Sequence, residues 1–258
     1  MGFEHRLLPR GWKVALRLLY PPQCLGCGAT VDHEGGLCGD CWRETRFIRE
    51  DCCDLCGVGL PAPGDVDDPG GGVAADQRLL CDDCVILSRP WVRGRAALDY
   101  SGGGRRLVLA LKHGDRPDLA PALGQWLASA AQPLARPGMI VAPIPIPARR
   151  LLRRKYNQSA LLAATVARQL GLEHRPGLLQ RLRHTPAQDH RDLHERFDNQ
   201  ADAIGVRGPA GDLAGRPVMI VDDVMASGAT MTAAATALHA AGAGPIVTAV
   251  LARAAKND

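Results

Sequence analysis

The chain has 258 residues, enough for one ordinary domain and a small companion, and with 46% hydrophobic residues it can bury a core. Its 29 glycines and 19 prolines follow no fixed period, which excludes disordered and collagen-like chains. Aromatics make up only 4%, so the core must be aliphatic and a base-stacking RNA-recognition platform has almost no material; the net charge is +4, with Arg supplying 27 of the 31 basic residues.

The charge is not evenly spread. Residues 1–88 carry eight Lys/Arg against fourteen Asp/Glu and all nine cysteines, whereas residues 89–258 carry twenty-three against thirteen. An acidic, cysteine-bearing unit over 1–88 and a basic domain over 89–258 are expected. At the N-terminus, Leu7, Leu8, Val14, Leu16, Leu18 and Leu19 are interrupted by Arg10, Lys13 and Arg17, with no small-residue cleavage site before Cys24. That pattern predicts a short amphipathic helix stopped by Pro21 and Pro22, not a signal peptide. No run of 18 apolar residues occurs, so no membrane span is expected, and a cytoplasmic location follows. A cytoplasmic chain favours metal binding over disulfides.

The cysteines fall in four C-x-x-C pairs: Cys24/Cys27, Cys38/Cys41, Cys53/Cys56 and Cys81/Cys84, with Cys52 left over. Each pair can present two thiolates to one ion from a tight turn, and two pairs complete a tetrahedral all-sulfur zinc site. Gly26, Gly28 and Gly57 permit the left-handed or close-approach backbone such turns use. Sequential pairing gives one zinc on Cys24, Cys27, Cys38 and Cys41 and a second on Cys53, Cys56, Cys81 and Cys84. Interleaved pairing, and exchange of Cys52 for Cys53, remain open. With no position left for water, the two sites are structural. Residues 57–80, rich in Pro and Gly, form a loose insertion.

Beyond residue 90, short apolar runs alternate with Ala/Leu-rich helical stretches, the pattern of a parallel sheet with crossover helices on both faces. Strands are predicted over 92–100, 139–146, 218–224 and 246–251. Helices are predicted over 104–112, over 118–132 behind an Asp cap, over 157–170 capped by Asn157, and over 230–241 ended by Gly242. The segment from Val218 to Thr230 is the most informative. Four apolar residues make a buried strand, Asp222 and Asp223 stand at its C-terminal end, and Ala226-Ser227-Gly228-Ala229-Thr230 leads into a helix. That edge of an open α/β sheet is where ligands bind. Loop amides, two hydroxyls and a helix N-terminus suit a phosphate dianion, and the paired carboxylates suit vicinal hydroxyls. A ribose 5-phosphate fits the pair of features. The segment resembles the signature of type I phosphoribosyltransferases that binds phosphoribosyl pyrophosphate (PRPP). A Walker B reading fails because no G-x-x-x-x-G-K-[ST] is present.

Upstream, a proline-rich strand end (Pro143, Pro145, Pro147) is followed by Arg149, Arg150, Arg153, Arg154 and Lys155, a cationic turn suited to a pyrophosphate leaving group. The polar stretch from Arg181 through His184, His190 and Asn199 lies where type I enzymes carry a mobile hood that closes over the substrate. Neither histidine is assigned a role.

Taken in order, Tyr20-Pro21-Pro22-x-Cys24, Leu111-Lys112-His113-Gly114-Asp115, the Pro-Ile-Pro strand end, Arg154-Lys155-Tyr156-Asn157-Gln158, Thr185-Pro186-Ala187-Gln188 and Asp222-Asp223-Val224 resemble the ComF family over nearly the whole chain. That family joins a Cys-rich double zinc ribbon to a phosphoribosyltransferase-like domain. Two departures stand out. Lys155 and Tyr156 replace the usual Gly and Phe, which tests whether the turn there can take positive φ, and Ala226-Ser227-Gly228 replaces Thr-Thr-Gly while keeping one hydroxyl. The resemblance implies PRPP or a nucleoside monophosphate on Asp222, Asp223 and residues 226–230, with Mg2+ accompanying PRPP. It further implies pyrophosphate on Arg149, Arg153, Arg154 and Lys155, with Lys112, reaching in from the hood, and Arg154 as catalytic cations. It also implies a role in DNA uptake and natural transformation. The alternative is a non-catalytic nucleotide sensor that engages single-stranded DNA or competence-machinery proteins. The acceptor and the oligomeric state are not legible.

Overall fold

The computed structural model describes residues 20–61, 78–113, 116–147, 151, 155–182, 203–209 and 211–255. The expected N-terminal helix, the 62–77 part of the insertion and the 183–202 hood loop lie outside them.

The cysteine-bearing part is built twice from one plan. The first pair of each half sits in a turn closed by a glycine in left-handed conformation: Gly28 (φ 78°) donates its N–H to the Cys24 carbonyl, and Gly57 (φ 70°) donates to Cys53. The second pair of each half straddles the start of a short helix, α1 (Gly39–Glu44) or α2 (Asp82–Ile86), with Cys38 and Cys81 at the N-cap.

Then follow β1 (Arg93–Asp99), α3 (Gly102–His113), α4 (Ala120–Ala131), β2 (Ile140–Pro143), α5 (Gln158–Leu170) and β3 (Glu173–His174). After them come β4 (Leu179–Arg181), β5 (Ile204–Val206), β6 (Val218–Met225), α6 (Ala229–Ala240) and β7 (Ile246–Arg253). Five strands form a parallel sheet in the order β1-β7-β6-β2-β3, and β4 and β5 pair antiparallel beside it. Both faces are covered, so the inner strands read as continuous apolar runs, and β7 is buried at all eight positions. Alternate residues serve two cores. Met219 and Val221 meet α3, α4 and α5 on one face; Val218 and Ile220 meet α6 and the β4–β5 pair on the other.

Several boundaries differ from expectation for identifiable reasons. The 139–146 strand pairs only through Pro143, because prolines 143, 145 and 147 offer no N–H to a ladder. Asp118 does not cap the following helix: it lies in a 3₁₀ turn, Pro117–Leu119, and takes a bidentate ion pair from Arg116. Asn157 does cap α5, accepting from the Ser159 N–H at 3.1 Å. The strands β3, β4 and β5, two or three residues long, carry too little pattern to be read beforehand.

The cysteine-bearing part is joined to the sheet along β1. Residues 46–48 run beside its free edge, with the Ile48 N–H on the Ala97 carbonyl and the Asp99 N–H on the Arg46 carbonyl. This covers an edge that would otherwise expose unpaired backbone groups. Asp54 accepts from Arg93 and Arg95 at 3.0 and 2.9 Å, the Trp91 indole donates to the Leu55 carbonyl, and Phe47 meets Trp126 of α4 edge-on. Cys53, Cys56 and Cys84 belong to the same core as β6 and α6.

Candidate functional site

The C-terminal end of β6 carries Asp222 and Asp223, and the chain then turns through Ala226 and Ser227 to Gly228. Gly228 has φ 83°, which only glycine takes readily, and it is the N-cap of α6. Having no side chain, it cannot cap the helix; the neighbouring Ser227 Oγ accepts from the Ala229 N–H at 3.4 Å. Residues Asp222, Val224 to Thr230 and Met231 line a cleft of about 140 Å³. A larger cleft of about 210 Å³ is lined by Val206–Gly208 and Ala240–Ala241, and its acid, Asp212, is already paired with Arg175.

The two carboxylates are held differently. Asp223, 7% exposed, makes an ion pair with Lys112 Nζ at 3.2 Å. Lys112 arrives from the last turn of α3 and not, as expected, from the hood; the Gln158 side-chain amide and the Tyr156 hydroxyl donate to the backbone carbonyls of Lys112 and Leu111, which tie that turn to α5. Asp222 Oδ1 accepts from Ser159 Oγ at 2.7 Å and from the Asp223 N–H at 2.9 Å. Burial and the neighbouring Asp223 charge nevertheless push the Asp222 carboxyl up to about 7, against the pull of Ser159 and Lys112.

The structure places Asp222 on one cleft with residues 226–230, and Asp223 against Lys112. Lys155 stands apart, exposed, with φ 62°; its N–H bonds to the Leu151 carbonyl, so the turn expected to need glycine is made by a lysine. Arg149, Arg153 and Arg154 lie outside the described residues. Sequence reasoning missed Ser159, whose only signal was its place in the first turn behind the Asn157 cap. It also missed two buried arginines behind the loop. Arg253 Nη1 donates to the carbonyls of Met225 (3.1 Å) and Ala226 (2.7 Å), and Arg89 Nη1 donates to that of Ser227 (2.8 Å).

The cysteines form two clusters, Cys24/Cys27/Cys38/Cys41 and Cys53/Cys56/Cys81/Cys84, each with all four sulfurs within 4.8 Å of one another. The pairing is sequential, and Cys52, buried and backbone-bridged to Gly59, is outside both. Sulfur separations of 3.6 Å for Cys27–Cys38 and for Cys56–Cys81 match the edge of a tetrahedron with zinc–sulfur bonds of about 2.3 Å. Burial disfavours the Cys24 thiolate, but the amides of Cys38, Cys27 and Gly26 outweigh it and hold its pKa at about 6. The donor set fits zinc, and the clusters support two structural ions.

An α/β domain of the phosphoribosyltransferase type with a double zinc ribbon ahead of it is what these features define. Residues 15–85 match the double zinc ribbon domain and residues 157–258 the phosphoribosyl transferase domain. The DNA utilization protein YhgH of Salmonella typhimurium is 32% identical over 217 residues, covering 82% of this chain and 87% of that protein. Competence protein F of Haemophilus influenzae is 30% identical over 91 residues, 35% of this chain and 40% of that one. The crystal structure of TT1426 from Thermus thermophilus aligns at 22% identity with a TM-score of 0.33, over 51% of this chain and 72% of that one. The chain belongs to the ComF family.

Proposed function

We propose that the protein binds PRPP, or the nucleoside monophosphate made from it, at the end of β6, and that it acts in the cytoplasm in the handling of DNA taken up by the cell. The observation that carries the binding site is one cleft lined by the helix N-terminus, the 226–230 loop and Asp222, with Asp223 the next residue along the strand. Residues 226–230 hold the 5′-phosphate with their amides and the Ser227 and Thr230 hydroxyls. Asp222 and Asp223 accept the ribose 2′ and 3′ hydroxyls. Their oxygens, with those of the phosphates, are also the hard donors that Mg2+ takes, and Mg2+ entering with PRPP supplies charge neutralisation on the pyrophosphate. Lys112 compensates Asp223 and, with Arg149, Arg153, Arg154 and Lys155, offsets the charge that grows on departing pyrophosphate. Cys24, Cys27, Cys38, Cys41 and Cys53, Cys56, Cys81, Cys84 bind the two structural zinc ions of the 1–88 unit that precedes the 89–258 domain. The role in DNA handling comes from the names of the related proteins.

Calorimetric titration with PRPP and Mg2+ tests the site. The Asp222→Asn/Asp223→Asn protein is expected to lose at least tenfold in affinity, the order of two lost charge-assisted hydrogen bonds. Wild-type affinity in that variant overturns the assignment. Release of pyrophosphate from PRPP with a panel of bases separates a transferase from a non-catalytic nucleotide sensor built on the same site.

A further inference from the structure

Two guanidiniums lie behind the candidate phosphate loop and bind three consecutive carbonyls, those of Met225 and Ala226 from Arg253 and that of Ser227 from Arg89. Arg253 is 3% exposed and Arg89 9%, and among the described residues neither makes an ion pair with a carboxylate. A trans peptide unit points its N–H opposite to its C=O. Pinning three carbonyls from behind therefore turns the following amides, those of residues 226–228, away from the guanidiniums. Two buried positive charges under a ring of amides also make a field that asks for an anion.

Arg89 has a second attachment. Its guanidinium lies over the Trp91 ring, 5.4 Å from the centroid; the Trp91 indole donates to the carbonyl of Leu55, in the turn between Cys53 and Cys56, and shares one core with Cys53, Cys56 and Cys84. It also packs against Gly228, where a Cβ would come within 2.8 Å of Arg89 Nη1. Arg89 thus meets the loop directly and the cluster through Trp91.

We propose that Arg89 and Arg253 are positioning residues for the 226–230 loop, and that Arg89 couples the shape of that loop to the metal state of the Cys53/Cys56/Cys81/Cys84 cluster. The inference rests on the phosphate reading of the loop given above. An ordered cluster presents Arg89 to the Ser227 carbonyl and keeps the amides turned outward; a cluster without metal releases Arg89, and the loop loses its anion-binding shape. Phosphate on the loop favours the ordered cluster by the same coupling.

Full-length zinc-loaded protein and its Arg89→Lys, Arg89→Gln and Arg253→Lys variants test this in two arms. Hydrogen exchange of residues 226–230, measured without ligand, is expected to quicken at least tenfold in the variants while residues 140–143 stay protected and zinc content is unchanged. Exchange at the wild-type rate in a zinc-loaded Arg89 variant overturns the positioning role. In the second arm, cadmium-113 replaces zinc and ribose 5-phosphate is added. One cadmium resonance is expected to move in the wild type and to stay still in Arg89→Lys, with affinity about tenfold weaker in the variant. A wild type that binds ribose 5-phosphate without either resonance moving overturns the coupling, even if the Arg89 variants do not fold. A wild type that does not bind ribose 5-phosphate removes the phosphate reading and, with it, the coupling; the exchange arm then decides the positioning role by itself.

Discussion

Asp222 is the residue whose environment is least comfortable. Its carboxyl is buried beside another carboxylate and titrates near 7 in the folded chain against an ordinary 3.8, so the folded state holds a proton that the unfolded state has released. Between those values the wild type loses stability as pH rises. Asn keeps the Oδ1 acceptor for Ser159 and the Asp223 N–H but has no charge to bury. Asp222→Asn is therefore expected to melt at a higher temperature than wild type, by a margin that grows from about pH 4 to about pH 7 and then levels off. Thermal melts across pH 4–8 check this, and a margin independent of pH refutes it. The gain in stability accompanies the loss in PRPP affinity proposed above, the usual trade at a site arranged for a ligand. Lys155 is a second strained residue, since a left-handed conformation costs a residue with a Cβ about 1 kcal/mol. Its place at the end of the cationic turn, where glycine would be easier, is consistent with a charge needed at that point.

At the scale of elements, the first cysteine turn of the second cluster is fitted against β1 with no space for side chains. A Cβ on Gly57 would lie 2.6 Å from the Ala96 nitrogen, and one on Gly94 would lie 2.3 Å from the Leu55 carbonyl oxygen. Those neighbours are backbone and cannot swing aside. Gly57→Ala combines this collision with a positive φ, and we expect a loss of about 2–4 kcal/mol in chemical denaturation. Gly28→Ala, at the equivalent turn of the first cluster, also has positive φ, but nothing lies within 4 Å of its Cβ. Its cost should be about 1 kcal/mol. Equal losses at the two positions would show that the contact with β1 contributes nothing.

At the scale of the molecule, the cysteine clusters are part of the sheet's own core. The second cluster supplies Cys53, Cys56 and Cys84 to the packing of β6 and α6, and Leu25, Leu37 and Phe47 of the first half pack against the opposite core. Removing zinc should therefore unsettle the whole chain. A chelator is expected to lower the melting temperature by on the order of 10 °C or more, with near-UV signals of the ribbon and of Trp126 and Trp91 lost in one transition. Two separate transitions, with the α/β part unchanged, would show that the ribbon is only tethered. No described helix is long and apolar enough to cross a membrane.

Local chemistry was enough to read the four C-x-x-C pairs, the apolar strand with acids at its end, and the small-residue loop into a helix, because each depends on residues close in the chain; which pairs share an ion was decided by the tertiary structure. The Asn157 cap and the left-handed Gly28 and Gly57 were legible for the same reason. The docking of the cysteine turns on β1, Ser159 on Asp222, Lys112 from α3 on Asp223, and Arg89 and Arg253 behind the loop were decided only by tertiary structure. The arginine contacts behind the loop join residues from 27 to 138 positions apart, and no local propensity or spacing carries such a pairing. What makes a buried arginine a loop support and not a destabilising charge is the set of carbonyls it reaches once the sheet has closed.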